Sequence, residues 1–462
     1  MLSAFFILIW IISCSPDPVL FDNKGQSSLK KKINRLLISY QKEASIGIDI
    51  RLLETGESIY SYHKSKLFTP ASNAKLFTSG TALISLGLKY KFRTLIYQQG
   101  NNLVIEGGGD PDLTLKNLDS LAKLIALKFE TIDTLIADES FFDLYQYGPG
   151  WMWDEGPWWH AAPVSALSLN DNCLTFFITP DKIGSPVHIE ISPNTHHVKI
   201  VNESTTVSDS IDLKRFLINR DWKNQTNTFT ITGNKVQSFK TDTLQRNVEN
   251  PAYFTAAVLA KMLEEYKVPV NYIKTGKKPE SAIPLFSNFS RPLLDLNKEM
   301  MFESHNLSAE ILTKMISIKD SLPGNWKVGL EVMRSLLADS AGIDTSKIKL
   351  ADGSGLSRYN LSSAQSFTQF LAYIYQSKYR EAFISSLPYG GSISTLENRL
   401  ANTGSDIRAK SGSLSGVSCL SGYIFSKQYG PVAFSILING FIGSSLPYIQ
   451  LQDKIVTLLR HH

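Results

Sequence analysis

The chain has 462 residues, 43% of them hydrophobic and 19% charged, with a formal net charge of +5. That length exceeds what one compact core accommodates and points to two or three domains, and the composition is that of a folded chain without low-complexity stretches. The positive charge is spread along the sequence rather than gathered into a basic stripe, so nucleic acid is not expected as a partner.

Residues 2–12 form an apolar run too short to span a bilayer and of the length of a signal-peptide core. The run closes on Ile11-Ile12-Ser13-Cys14 and is followed by the polar stretch 15–28. A small residue before a cysteine at this place resembles the lipobox of bacterial lipoproteins, in which Cys14 becomes the lipidated first residue and 15–28 a tether. No Lys or Arg precedes the run, so only the terminal amine supplies a positive end; a plain cleaved signal and an uncleaved anchor are the alternatives. The expectation is an exported, periplasmic or cell-envelope protein that meets the membrane only through a lipid at this end.

Cys173 and Cys419 are too few for a disulfide framework or a metal spacing, and Cys419 sits in an apolar run that reads as a buried thiol. The eight histidines make no H-E-x-x-H pattern, and His196-His197 are adjacent, which puts them on opposite faces of a strand. No metal and no cofactor is expected.

The elements follow from periodicity. Leu29, Ile33, Leu36, Leu37 and Tyr40 have helical spacing, and Ile46, Ile48 and Ile50 alternate before a Thr55-Gly56 turn and a returning strand at 58–62. Pro70 ends the strand region, and a helix runs from Ser72 to Leu86. A hairpin is predicted at 93–98 and 103–106, a turn at Gly107-Gly108-Gly109-Asp110-Pro111, and a helix at 115–127. Short β-like runs follow at 174–178, 187–191, 198–201 and 228–231, and then a helix at 250–266. Near the end, strands at 417–425 and 432–439 precede a helix carrying Ile455, Leu458 and Leu459. The two ends of the chain can close into one antiparallel sheet covered by helices, with the middle inserted.

Ser-x-x-Lys, Ser-x-Asn and Lys-Ser/Thr-Gly are looser forms of a known acyl-transfer motif set, and each alone is weak. Ser-x-x-Lys occurs at Ser27, Ser28, Ser39, Ser61, Ser72, Ser120 and Ser346, and a literal Lys274-Thr275-Gly276 exists as well. Physical context selects among them. The serine must open a helix so that the lysine lies one turn on, and apolar walls must desolvate that lysine. Ser72-Asn73-Ala74-Lys75, after Pro70 and before Leu76-Phe77, meets both demands; the others lie in charged or polar stretches. Ser304-His305-Asn306 precedes an apolar helix, whereas Ser192-Pro193-Asn194 reads as a turn. The third motif needs an edge strand on which a peptide can pair. Lys410-Ser411-Gly412 leads into the C-terminal strands, and Lys274 runs into the solvated turn Lys277-Lys278-Pro279.

With these residues in order, the chain resembles the penicillin-binding protein 4 type of DD-peptidase, the low-molecular-mass class C family (peptidase family S13). The segment Asp352-Gly353-Ser354-Gly355-Leu356-Ser357-Arg358, residues 107–111, 165–173 and 386–399, and the long separation of Ser72 from Ser304 all fit. The resemblance covers the chain from about residue 30 onward. It implies an α+β fold: a serine β-lactamase/DD-peptidase-like catalytic domain, an antiparallel sheet covered by helices, interrupted by a long insertion of one or two smaller β-rich domains. Its pieces are placed at 29–92 and 285–462 (catalytic), 93–165 and 242–284 (inserted domain II) and 166–241 (inserted domain III).

The resemblance also implies the chemistry. Ser72 attacks the carbonyl between two D-alanines of a peptidoglycan peptide, with Lys75 as base and Ser304 as proton relay. Burial and the like charge of Lys410 are expected to lower the Lys75 pKa. Asn306 would bond the substrate amide. Lys410 and Ser411, in the Lys410-Ser411-Gly412 strand, would take the terminal carboxylate. The Ser72 and Ser413 amides would form the oxyanion hole. Glu155 and Arg358 would contact the third residue of the peptide, although a family Asp stands where Glu155 is. β-Lactams are the expected inhibitors. A β-lactamase or esterase on the same fold would need a carboxylate-held water, and no Glu suggests itself; a non-catalytic wall-binding or β-lactam-sensing module has no need of three intact motifs.

Overall fold

The computed structural model describes residues 23–209 and 213–461; the expected signal segment and Cys14 lie outside them. Helix α1 (Asn23–Leu37) buries Leu29, Ile33 and Leu37 on one face. The expected tether therefore ends earlier than 28, because a polar turn and a half extend the helix ahead of its apolar stripe. β1 (Ser45–Leu52) and β2 (Ser58–Tyr62) form the N-terminal hairpin. A 3-10 turn (Ala71–Ala74) then leads into α2 (Lys75–Leu86).

The middle of the chain contributes β3 (Arg93–Gln99), β4 (Asn102–Gly107), α3 (Leu115–Ala126), β5 (Ile132–Asp138), β6 (Cys173–Thr179) and β7 (His188–Ser192). The short strands β8 (Lys199–Asn202), β9 (Thr205–Val207), β10 (Leu217–Arg220), β11 (Thr228–Thr232), β12 (Asn234–Val236) and β13 (Asp242–Asn247) follow. Next come α4 (Pro251–Glu265), β14 (Val270–Thr275) and β15 (Ile283–Phe289). The chain then builds α5 (Leu293–Glu303), α6 (Asn306–Ile316), α7 (Trp326–Ser335), α8 (Ala364–Gln376) and α9 (Arg380–Ser386), and ends in β16 (Ile407–Leu414), β17 (Val417–Ser426), β18 (Gly430–Asn439) and α10 (Leu446–His461).

The two ends of the chain meet in one antiparallel sheet of order β16-β17-β18-β1-β2, with Ile48 opposite Ile436 and Ile50 opposite Phe434. Alternation sends Ile46, Ile48 and Ile50 to one face, against Leu29 and Ile33 of α1 and Ile455 and Leu459 of α10. Cys419, Tyr423 and Leu437 face the other side and pack on a second helical layer that contains Phe77, Ile311, Met315, Phe367 and Phe370. Phe77 and Phe367 stack with ring centroids 4.6 Å apart. The fold is α+β, an antiparallel sheet with helices on both faces.

The inserted region holds a mixed sheet of order β14-β5-β4-β3-β15 and three small sheets. β15 pairs with β3 through Phe289, so the inserted sheet runs past the expected return at 285. β13 pairs with β6, which joins residues on either side of the expected 241/242 seam. Strand pairing is non-local, so partners far apart in the chain set these seams. Two further expectations change. His196-His197 occupy a turn before β8, and Lys274 lies on β14 at the edge of the inserted sheet, exposed to solvent. An edge strand is therefore not what separates Lys410 from Lys274; burial is.

Candidate active site

Three pieces of chain converge where β16 crosses the start of α2. Pro70 and the 3-10 turn hold Ser72 at the mouth of the helix, half-buried, with Lys75 one turn deeper and fully buried. Ala71 adopts φ +47, a left-handed conformation that an L-residue takes only when its surroundings compel it. Gly355 provides part of that constraint: at φ +87 it lies so near that a Cβ would stand 1.9 Å from Ala71 O. Gly412 of β16 presses from the other side, where a Cβ would meet Pro70 O at 2.8 Å and Ser72 N at 3.0 Å. Both glycines are bare because backbone must pass beside the nucleophile's turn.

Lys75 Nζ lies 3.2 Å from Ser72 Oγ and donates to Asn306 Oδ1 at 2.6 Å and to Ser354 O at 2.8 Å. Burial lowers its pKa to about 7, against the pull of the Glu310 and Asp352 carboxylates, which favour the charged form. Lys410 Nζ donates to Ser304 Oγ at 2.9 Å and to Ser411 O at 2.8 Å. Its pKa is held well below the ordinary lysine value by burial and then by the neighbouring Lys75. The like-charge effect anticipated on Lys75 is seen on Lys410, where it adds to burial. Among the described residues neither lysine forms an ion pair.

Ser304 sits at φ +60 in the tight link between α5 and α6. Asn306 opens α6 and is more committed than expected: its Oδ1 accepts from Lys75, and its Nδ2 donates to His160 O at 2.8 Å. One amide hydrogen is left for a ligand. On β16, Ala409 N donates away from β17 to Pro388 O, and the register with β17 is unbroken from Ile407 to Leu414. Alternation then points the Ser411 and Ser413 amides out of the same free edge.

A cleft of about 890 Å³ gathers Ser72, Ser304, Asn306 and Ser413 together with Glu155 and Arg358. Lys410 is buried and reaches the cleft through its bond to Ser304 Oγ. Arg358 donates to Ser415 O at 2.9 Å, and Glu155 is bonded to His160 Nε2 at 2.9 Å. Asp154, which the sequence reading did not single out, lines the same cleft and is exposed. The decoy serines are elsewhere: Ser61, Ser120 and Ser346 are exposed, and Ser346 is tied to Asp344.

Glu310 was missed. It is fully buried on α6 one turn after Asn306, and it accepts from Trp326 Nε1 at 2.7 Å, Gly353 N at 3.0 Å and Ser354 N at 2.8 Å. Burial, with Asp352 nearby, raises its pKa to about 7. It clamps the loop whose Ser354 carbonyl holds Lys75. The signal was present in the i, i+4, i+8 run Asn306, Glu310, Lys314, a polar stripe on the buried face of an apolar helix. Glu310 is not among the residues that line the cleft. Cys173 and Cys419 are free and buried, and no group of three metal-ligating side chains occurs among the described residues.

A sequence model described as the D-Ala-D-Ala carboxypeptidase 3 (S13) family matches residues 29–461. The chain is 29% identical to a D-alanyl-D-alanine carboxypeptidase of Actinomadura sp. (strain R39), over 96% of this chain and 87% of the relative. It is 27% identical to the D-alanyl-D-alanine carboxypeptidase DacB of Haemophilus influenzae, over 94% and 91%. The crystal structure of penicillin binding protein 4 from Haemophilus influenzae superposes with a TM-score of 0.81 at 25% identity, covering 93% of this chain and 99% of that one.

Proposed function

The chain belongs to the D-Ala-D-Ala carboxypeptidase 3 (S13) family and is a serine-type D-Ala-D-Ala carboxypeptidase, and from that premise we propose that it works through an acyl-enzyme on Ser72. The observation that carries this is the fully buried Lys75, 3.2 Å from Ser72 Oγ and with a pKa brought down to about 7. A lysine at its free pKa of about 10.4 would be protonated and useless as a base at neutral pH. Here Nζ takes the hydroxyl proton as Oγ bonds to the carbonyl carbon between two D-alanines. The oxyanion faces the Ser72 and Ser413 amides. The C–N bond then breaks, and the proton held by Lys75 passes through Ser304 Oγ to the departing amine. Water attacks the ester, returns the proton to Ser72, and frees the shortened peptide.

Asn306 uses its remaining amide hydrogen on the substrate, Lys410 with Ser411 draws in the terminal carboxylate, and Gly412 keeps the strand close to Ser72. Glu155, Asp154 and Arg358 face the third residue of the stem peptide. A terminal D-alanine and a D-alanyl cross-link present the same carbonyl to Ser72, and products from purified peptidoglycan separate the two activities. The catalytic unit comprises residues 29–92 and 290–462, with an insertion between. Export and lipidation at Cys14 place this unit at the cell envelope; no helix among the described residues is long and apolar enough to cross a membrane.

The test is covalent labelling. A β-lactam presents a strained amide to the same serine and leaves a tethered, slowly hydrolysed acyl group, so labelled penicillin is expected on the peptide containing Ser72. Ser72→Ala and Lys75→Ala should each abolish it, and Ser61→Ala or Ser346→Ala should leave it intact. Label that survives Ser72→Ala refutes the assignment.

A further inference from the structure

Beside the catalytic cleft lies a second one of about 340 Å³, and the two share Met152 and Glu155 as lining residues. Its walls are aromatic: Tyr147, Trp151, Trp153 and Trp222. Trp153 is 74% exposed and Met152 49%. The Trp153 and Trp222 rings stand 5.4 Å apart at 45°, and Lys223 Nζ lies 6.0 Å from the Trp222 ring centre. Gly156, at φ +53, turns the chain against Trp222 Nε1, which a Cβ would approach to 3.1 Å. A tryptophan as exposed as Trp153, beside two half-buried ones, marks a binding site more often than an accident of packing.

The floor is polar and built. Arg220 is 97% buried. Its Nε bonds Asn247 Oδ1 at 3.2 Å, and its Nη1 bonds Thr226 O at 3.3 Å and Glu249 Oε2 at 2.8 Å. Tyr147 Oη donates to the same Glu249 oxygen at 3.2 Å. Nη2 takes no part in these bonds, Tyr147 lies within reach of the guanidinium, and Arg220 lines the cleft. Charge is balanced: Arg220 is paired with Glu249, and Lys223 and Glu155 supply one charge of each sign. A net anion or cation gains little here. An exposed indole, a guanidinium edge on the cleft and no net charge suit a neutral ligand with apolar ring faces and carbonyl or hydroxyl acceptors.

We propose that this second cleft binds an N-acetylated sugar at the glycan end of the stem peptide whose other end is acylated by Ser72. The sugar's C–H faces lie on Trp153 and Trp222, and an acceptor such as its acetamido carbonyl meets the guanidinium edge of Arg220. The inference rests on the peptidase reading, because it is the shared wall at Met152 and Glu155 that makes both clefts parts of one substrate site. Four extended residues reach at most about 14 Å, so the stem peptide can join neighbouring clefts but not distant ones.

The experiment compares a disaccharide-bearing pentapeptide with the same pentapeptide lacking sugar, in the wild type and in Trp153→Ala and Trp222→Ala. In the wild type the sugar-bearing substrate should show a KM lower by about tenfold, the ratio set by one well-made contact. Each variant should raise that KM to the level of the bare peptide while leaving bare-peptide turnover and penicillin acylation unchanged. Free disaccharide should quench tryptophan fluorescence of the Ser72→Ala protein saturably, and less so after Trp153→Ala. Equal KM values for both substrates in the wild type, or no saturable quenching by the disaccharide, overturns the sugar site while leaving the peptidase intact. Loss of penicillin acylation and of turnover on both substrates in the wild type would instead overturn the peptidase reading, and the sugar site with it.

Discussion

Replacing Glu310 by Gln tests whether Lys75 titrates as the base. Glu310 does not touch Lys75 Nζ; it acts through its charge and through the loop it holds. The substitution removes the carboxylate that favours charged Lys75, so the lysine should give up its proton at lower pH. A nearby opposite charge moves a pKa by about 1–3 units. Glu310, itself raised to about 7, is only part ionised where Lys75 titrates, so the lower end applies, about one unit. The second-order rate of acylation by a fluorescent penicillin rises through about pH 7 in the wild type, since only neutral Lys75 can accept the Ser72 proton. In the variant that limb should shift toward about pH 6. At pH 6 the neutral fraction then grows from about a tenth to about a half, a gain of about fivefold relative to the plateau. The Gln side chain keeps one oxygen for the three donors that Glu310 now serves, which costs about 1–3 kcal/mol of stability; the melting temperature shows whether the chain still folds. A folded variant whose acid limb stays in place, or moves up, refutes the reasoning.

Gly355→Ala should cut acylation by at least about a hundredfold, because its Cβ would collide with Ala71 O and displace the turn that carries Ser72; Gly342→Ala, equally left-handed but in open space, should cost only about 1 kcal/mol of stability and leave acylation alone. Lys410→Ala should lower kcat/KM on D-Ala-D-Ala ends by about a hundredfold or more. Proton uptake on binding a D-alanyl carboxylate, measured by calorimetry in buffers of different ionisation heat, should be present in the Ser72→Ala protein and absent once Lys410 is also replaced. Mass spectrometry of the mature N-terminus should find acylated Cys14; a soluble protein starting at another residue would dispose of the anchor.

Local signals carried the reading where the physics is local. The alternation of Ile46, Ile48 and Ile50 produces β1 because one face of that strand meets α1 and α10. Pro70 followed by Ser72, Lys75 and an apolar helix is legible because helix start, spacing and desolvation all lie within one short segment. What escaped was non-local. The burial of β16 is one such feature: Lys410 and Gly412 occupy its inward positions, and what covers them is Ser304 and the Ser72 turn. β5, β14 and β15 find their partners across the insertion. The left-handed Ala71 and Ser304 have no residue-type signature, since neither is glycine. Asn306 could be picked out by motif, but only the fold shows that Lys75 and His160 already occupy most of it.

Two buried lysines without an ion pair are an unusual thing for a fold to maintain, because a protonated amine out of water needs a partner. Here each lysine meets only neutral acceptors: Asn306 Oδ1 and Ser354 O for Lys75, Ser304 Oγ and Ser411 O for Lys410. The consequence is that both sit below their ordinary pKa, through burial and, at Lys410, the repulsion of Lys75 as well. A terminal carboxylate arriving at Lys410 supplies the missing countercharge and lets that amine take up a proton. The carboxylate and the proton it brings cancel at a distance, so Lys75 keeps the pKa of about 7 that burial gives it. A substrate lacking the carboxylate should therefore lose the contact at Lys410 without losing the base, so that discrimination at this site appears in kcat/KM while acylation by a good leaving group keeps its acid limb near about pH 7.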